Sequence, residues 1–508
     1  MKHAGLVAAL CAAGCSLPLR AQEPHSHRPP EKLGTVSFAT ACAPAVQARF
    51  ERAVALLHSF TYTASERAFR EVAEADRRCA MAHWGIAMSY FHQLWQPPGD
   101  PELRQGQAEI DKAGLLHAGA GRERQFIAAA AAYYRDSDHL AHTVRAKAYE
   151  QAMADVARAN PADAEAQIFY ALALIATAPP ADRSHSNQRL AVEILEPLFR
   201  ESPEHPGVAH YLIHACDSAE LAPRGLGAAR AYSRIAPSAP HALHMPSHIF
   251  TRLGYWDDSI ASNRAARIAA HEQGDRGEEL HSMDYLTYAY LQRGRRADAA
   301  RVVDELHAMA GGLGPEFKTG YAATAMPVRL VVEAHEWAAA AGLEPPPLSA
   351  PHVAALIYWA RAVAQARAGR PRAADADLDR LETSRQQLES AGNRYWATQV
   401  QILGKEVRAW QAQAAGRAEE AVRLLSEAAG EEDAVEKLPV TPGPVVPARE
   451  QLGEMLLELN HAEQALREFQ TALAAAPGRR GALRGAAESA ARAGDSRAAA
   501  RYRAMQDE

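Results

Sequence analysis

Histidines recurring at helical spacing in the middle of the chain are the residues here whose type and pattern could do chemistry. His210 and His214 stand four apart in HPGVAHYLIHACD, and His241, His244 and His248 stand three and four apart in APHALHMPSHIF. His281, Asp284 and Tyr288 repeat that spacing in HSMDYLTYAYLQ. Offsets of three and four place side chains on one face of a helix, so each segment offers its polar groups as a set. Imidazole and carboxylate are the usual ligands of zinc and its neighbours, and histidines at i and i+4 form a standard chelating pair. The pattern therefore predicts a divalent transition metal (zinc, copper, iron or manganese) held by a subset of His210, His214, His241, His244, His248, His281 and Asp284. Three protein ligands would leave a coordination position open for water or substrate, which is what hydrolytic or redox catalysis requires. Asp217 or Asp284 would then orient a ligand or act as base, and Tyr288 could stabilise developing negative charge.

The same residues admit plainer readings. A histidine cluster can hold an anionic or aromatic ligand without metal, or form a buried hydrogen-bond network. Pro246 fits the first turn of a helix, which leaves His241 and His244 open to lying in the loop before it. His58, His83, His92, His307 and His352 are isolated and receive no role, and Cys216 falls off the histidine face and reads as packing. Asp182, Arg183, Ser184 and His185 read as a solvated loop within reach of the groove. Arg449 and Glu450 read as a capping ion pair, and Glu431-Glu432-Asp433 as solvated surface. GxSxG, GxxxxGK[ST], HExxH and a strand-linked GxGxxG are all absent. The His-x2-His-x3-His of APHALHMPSHIF lacks the glutamate that a zincin places between its histidines.

The elements that must position these groups are helix pairs. Near the C-terminus Leu452-Gly453, Leu456, Ala465, Phe469, Ala472 and Pro477 occupy the small and large positions of a tetratricopeptide unit. A degenerate unit follows through Gly494 and Ala499, and Tyr62, Ser65, Phe69, Val72 and Asp76 fit the second half of another. Pro161, Pro203 and Pro237 each end a second helix. Counting on from Pro203 and Pro237, and back from Gly294, puts the histidines at positions two, five and nine of first helices, which face the concave side. No segment sustains strand alternation. The expected fold is all-α, a right-handed solenoid of tetratricopeptide-like pairs, interrupted by proline-rich insertions at 96–101, 178–188, 344–351 and 436–450. The last of these reads either as a cover over the groove or as a rigid spacer.

Lys2 and His3 precede an apolar stretch, Ala4 to Gly14, that suits a signal peptide and is too short to span a bilayer. Cys15 completes a lipoprotein-like box, and Leu19-Arg20-Ala21 offers an ordinary cleavage site; both stay open. Either way the mature chain is expected to be exported, periplasmic or anchored at the outer membrane, touching membrane only through that anchor. In an oxidising compartment Cys42 and Cys79, each preceding a first helix of successive repeats, are expected to pair. The resulting division is a leader over 1–21, a flexible linker over 22–36 and N-terminal repeats over 37–200. His-rich repeats over 201–312, further repeats over 313–430, a proline-rich loop over 431–449 and C-terminal repeats over 450–508 complete it. A net charge of −6 without any basic run argues against nucleic acid as the main partner.

The strings RAVALLHSF, CAMAHWGIAMS, HPGVAHYLIHACD, APHALHMPSHIFTRLGYWDDSIASN, HSMDYLTYAYLQ and PVTPGPVVPARE resemble a family of bacterial tetratricopeptide-repeat proteins of unassigned activity. The resemblance covers nearly all of the mature chain. It implies the helical-repeat fold and, in many members, export, and it carries over no substrate or catalytic residue. The first expectation is a binding protein whose concave groove takes a protein or small-molecule ligand, with a metal at the histidines. The second is a metal-dependent hydrolase or oxidoreductase on the same cluster, and the third a metal-free interaction scaffold.

Overall fold

Prolines and glycines set the helix ends. His142–Ala159, Ser186–Glu201 and Ala222–Ile235 stop just before Pro161, Pro203 and Pro237, and the next helix opens three residues after each proline, at Ala164, Pro206 and Pro240. Later turns use glycine instead: Gly254, Gly274 and Gly294 close their helices with φ of 72°, 73° and 69°. Those left-handed values are ones that glycine adopts without the Cβ penalty. The computed structural model describes residues 1, 30–94, 96–116, 121–309 and 317–507. Among these there are helices and turns but no strand. The expected leader, Cys15 and the linker up to residue 29 lie outside the described residues.

Helices pack as successive antiparallel pairs of tetratricopeptide type. Gly453 and Gly485, on helices Ala448–Glu458 and Arg480–Arg492, flank the fully buried ring of Phe469. A Cβ at Gly453 would stand 2.8 Å from that ring, and one at Gly485 2.1 Å. Leu452, Leu456, Ala465 and Ala472 fill the same interface. The expected disulfide is present, Cys42 to Cys79, with Cα atoms 4.7 Å apart.

Residues 32–508 form one compact body in which distant repeats meet. Leu33 and Val36 are buried, and Lys32 and Thr35 bond to Ser238 and Glu204, so this end of the expected linker is fixed structure. His58, at the end of helix Gln47–His58, packs on helix Pro206–Ala215. The C-terminal repeats return to the middle of the array: Trp256 Nε1 donates to the Gly478 carbonyl at 3.0 Å and Arg480 N to Gln292 Oε1 at 3.0 Å. Helix Ala418–Asp433 extends through the acidic run, so the irregular proline-rich segment is 434–447, shorter than the expected 431–449.

Candidate metal centre

Three consecutive first helices and one kink deliver the histidines. His210 and His214 lie on Pro206–Ala215, whose N-terminus is capped by His205 accepting from Val208 N. Helix Pro240–His244 breaks at Met245, and Pro246 opens Pro246–Leu253. His241 and His244 are thus helical rather than in the loop, and His248 follows one turn past the break. His281 lies on Arg276–Gln292, started by Asp275 accepting from Glu278 N. All six rings are between 0 and 6% exposed. They form two groups of three, His210/His214/His241 and His244/His248/His281, within each of which one ligand nitrogen per residue lies within 4.8 Å of the others. The groups adjoin, with ring centroids of His241 and His244 6.2 Å apart and of His214 and His248 6.1 Å apart.

Hydrogen bonds on the outer side of four rings determine what the inner side can be. His210 Nδ1 is 2.6 Å from the His58 carbonyl, which can only accept, so that nitrogen carries the proton. His244 Nδ1 is 2.7 Å from Asn263 Oδ1, and Asn263 Nδ2 donates to the Ser259 carbonyl at 2.8 Å, which fixes the amide orientation. His248 Nδ1 donates to Asp217 Oδ2 at 2.9 Å and His241 Nδ1 to the Glu278 carboxylate at 3.2 Å. In its neutral form each ring therefore turns a bare Nε2 inward. These face in pairs: His210 to His241 at 3.1 Å and His244 to His248 at 2.9 Å. Two lone pairs at that separation repel unless a cation sits against both. Nitrogens sharing one ion at about 2.0–2.1 Å stand roughly 2.9–3.4 Å apart, so the spacing is that of co-ligands.

Burial, more than anything else, holds His210, His214 and His244 well below the usual imidazole range, with neighbouring histidines adding to the effect at His210 and His214. His248 is lowered by burial and partly restored by Asp217. A proton is thus a poor cation for the His244–His248 pair and for His210, and the neutral form is the one metals bind. Burial alone would raise the Asp217 carboxyl, but Lys437 and Arg252 hold it well below the usual carboxylate range, so it remains an anionic acceptor for His248. Carboxylate, amide and carbonyl acceptors behind ligating histidines are the usual means of fixing ring orientation and tautomer.

The proline-rich segment straps across the site. Lys437 reaches both Asp217 oxygens at 3.1–3.2 Å, and Glu436 pairs with Arg252 at 2.6 Å and Arg183 at 3.2 Å. The Tyr285 hydroxyl, 3.4 Å from His248 Nδ1, lies 3.0 Å from the Pro439 carbonyl and 3.1 Å from that of Thr441. Arg329 completes the anchorage through Thr441, Gly443 and Pro444. Between the strap and the imidazoles lies a cavity of about 310 Å³, reached by His241, His248 and His281 and walled by Trp396, His352 and Val440.

No protein-family model matches the chain, and no curated protein matches it. Solved structures with long stretches of alignable helix include an IFIT1 monomeric mutant with Gppp-AAAA, 11% identical over 84% of this chain and 90% of that one, TM-score 0.36. Others are the human IFIT1 dimer with m7Gppp-AAAA, 13% identical over 84% and 89%, TM-score 0.34, and Naa15/Naa10 bound to HypK-THB, 13% identical over 90% and 62%, TM-score 0.26. At such scores the likeness carries no argument, and the helical-repeat architecture rests on this chain's own helices.

Two expected participants stand elsewhere, and a third takes a different role. Asp284 is fully buried but turns to Arg329, Oδ1 accepting from Nε at 2.9 Å, and belongs to neither imidazole group. Tyr288 lies two turns beyond His281, where its hydroxyl accepts from Arg479 at 3.1 Å. Asp217 does reach the cluster, as the acceptor behind His248 rather than as a ligand. Arg449 and Glu450 do not pair with each other: Arg449 joins Asp433 and Glu468, while Glu450 is buried against Arg479 at 2.6 Å. Nor is the acidic run simply solvated, because Glu432 accepts from Ala448 N at 2.8 Å and burial moves its carboxyl up to about 7. Asp182 accepts from Ser184 and Ser186 at the start of Ser186–Glu201, and Cys216 is buried with its thiol pushed up to about 12.

Several participants escaped the sequence reading. His58 supplies the carbonyl behind His210, and its ring joins Glu165 at 2.9 Å, which in turn holds His205 at 3.1 Å. Glu278 and Tyr285 sit three before and four after His281, so the helical spacing already in use would have found both. Asn263 was signalled only by a lone amide one turn after Ser259. His352 and Trp396 come from helices far along the chain and carry no local signal.

Proposed function

We propose that this protein is a metalloenzyme holding two transition-metal ions, one in each histidine triad, beneath the proline-rich strap. The observation that carries the reading is the pairing of bare Nε2 atoms, His210 with His241 and His244 with His248, behind which Nδ1 protons are already committed. An imidazole-only ligand set favours copper, zinc or iron over manganese, which prefers oxygen. Three protein ligands per ion leave open positions, and the cavity beside His241, His248 and His281 supports catalysis rather than storage. Oxidoreduction is favoured over hydrolysis because Asp217 and Glu278, the carboxylates that touch the imidazoles, are engaged as ring acceptors and leave no carboxylate base in the cavity wall.

The deciding experiment is metal content by mass spectrometry on exported protein, wild type beside His244→Ala/His248→Ala and His210→Ala/His241→Ala. Two ions per chain in the wild type and a loss of one in each folded double variant are expected. A folded wild type that stays metal-free after supplementation with zinc, copper, iron and manganese would overturn the proposal and leave the histidines as a structural network.

A further inference from the structure

The walls of the cavity specify what could sit against the imidazoles. Its lining contains Leu94, Pro97, Leu438, Pro439 and Val440, and among its described residues none is an aspartate, glutamate, lysine or arginine. A carboxylate, phosphate or ammonium entering the ion-free cavity would lose its water without gaining a counter-ion from the described lining, and such transfer is strongly unfavourable. In the described lining, two uncharged amides, Gln96 and Asn393, and the Trp396 indole N–H are the side-chain polar groups apart from the histidines. They can orient a hydroxyl or carbonyl but not neutralise a charge.

Shape narrows the class further. Trp396, only 7% exposed, stacks on His352 with centroids 4.5 Å apart and planes 25° apart, and is braced by Tyr321 at 5.5 Å and Tyr395 at 5.1 Å. The indole is therefore a fixed flat wall of a cavity that His241, His248 and His281 also line. A volume near 310 Å³ holds one ring with small substituents and is too small for a peptide or an oligosaccharide. Flat walls of indole and imidazole favour an aromatic ring over an aliphatic one of equal volume.

We infer that the cavity is the substrate site and that it takes an uncharged monocyclic aromatic molecule bearing a hydrogen-bonding substituent, of the phenol class. The inference rests on the metal reading for its reaction, but the binding can be measured with or without ions.

The test uses the full chain, zinc-loaded and separately stripped with chelator, titrated with p-cresol, benzoate and cyclohexanol by calorimetry and ligand-detected NMR. The stripped form should bind p-cresol about tenfold more tightly than benzoate, and both forms should bind it several-fold more tightly than cyclohexanol. Val440→Trp should abolish p-cresol binding by filling the cavity, and Trp396→Leu should weaken it several-fold, with zinc content unchanged in both. If Val440→Trp does not fold, Trp396→Leu decides. Equal affinity of the stripped form for benzoate, equal affinity of either form for cyclohexanol, or p-cresol binding indifferent to these substitutions, overturns the inference. A chain that binds p-cresol but never holds metal would keep this site and remove the metal reading, whereas metal without p-cresol binding would do the reverse.

Discussion

His244 Nε2 and His248 Nε2 face each other across 2.9 Å while the far nitrogen of each ring donates its proton, one to Asn263 and the other to Asp217. Histidines at i and i+4 of a helix share one face. Here the break at Met245–Pro246 and the two fixed acceptors bring them together, so the metal-free protein stores a repulsion that an ion would remove. Binding that favours only the folded state raises stability by about 4 kcal/mol at a thousandfold excess over the dissociation constant. Thermal unfolding should therefore shift upward on adding zinc or copper and fall back with chelator. An unchanged midpoint at saturating metal would contradict it.

Asn263→Ala removes the acceptor behind His244 without touching a ligand. Affinity at the His244/His248/His281 triad should drop roughly 10- to 100-fold, as for other groups behind ligating histidines. Competition titration against a chromogenic chelator reads this directly, and the His210 triad serves as the internal reference. Equal loss at both triads would mean that the substitution acts through general unfolding.

Arg329→Met leaves Asp284 buried without its partner and frees the Thr441 hydroxyl and the Gly443 and Pro444 carbonyls of the strap. Removing one member of a buried pair costs about 3–5 kcal/mol. Urea unfolding should show that loss, and the double variant Arg329→Met/Asp284→Leu should recover part of it. No recovery would place the cost in the strap alone.

Burial lowers His352 to about 4, against 6.5 for the unexposed-to-structure value of the unfolded chain. Between those values the unfolded chain binds the extra proton, so stability is full above pH 6.5 and declines as pH falls to 4. The shift corresponds to about 3 kcal/mol. Comparing urea midpoints at pH 7.5 and 4.5, with chelator present, His352→Gln should show a smaller decline than wild type. An identical decline would remove His352 as a contributor.

Reducing Cys42–Cys79, which closes a span of 37 residues, should lower stability by about 2–4 kcal/mol. Denaturant midpoints with and without dithiothreitol measure it, and Cys42→Ser/Cys79→Ser should match the reduced protein. The effect should leave metal content unchanged, since neither cysteine touches an imidazole group.

Helix ends were legible because proline and glycine act locally: Pro203, Pro237 and Gly294 each mark a boundary that the structure keeps. The same locality made the three-and-four spacing of the histidines a sound guide to shared faces. What the spacing could not say is where along a face a partner stands. Tyr288 shares the His281 side of its helix but is displaced two turns along the axis, and there meets Arg479 from the C-terminal repeats. Asp284 is likewise claimed by Arg329, a residue 45 positions on. Both choices are made by tertiary packing, which no local pattern encodes. The division into two triads was also hidden, because it depends on the kink at Met245 and on acceptors from helices Trp256–Gln273 and Gln47–His58.

The imidazoles all precede residue 282, whereas the strap that covers them begins at 434. A chain emerging N-terminus first, from a ribosome or a translocation channel, presents both triads for several seconds before Lys437 and Tyr285's carbonyl partners exist to close over them. During that interval the nitrogens are open to whatever ions the surroundings supply, and afterwards exchange must wait for the strap to lift. On the metal reading, timing of emergence would join affinity in deciding which element the triads hold.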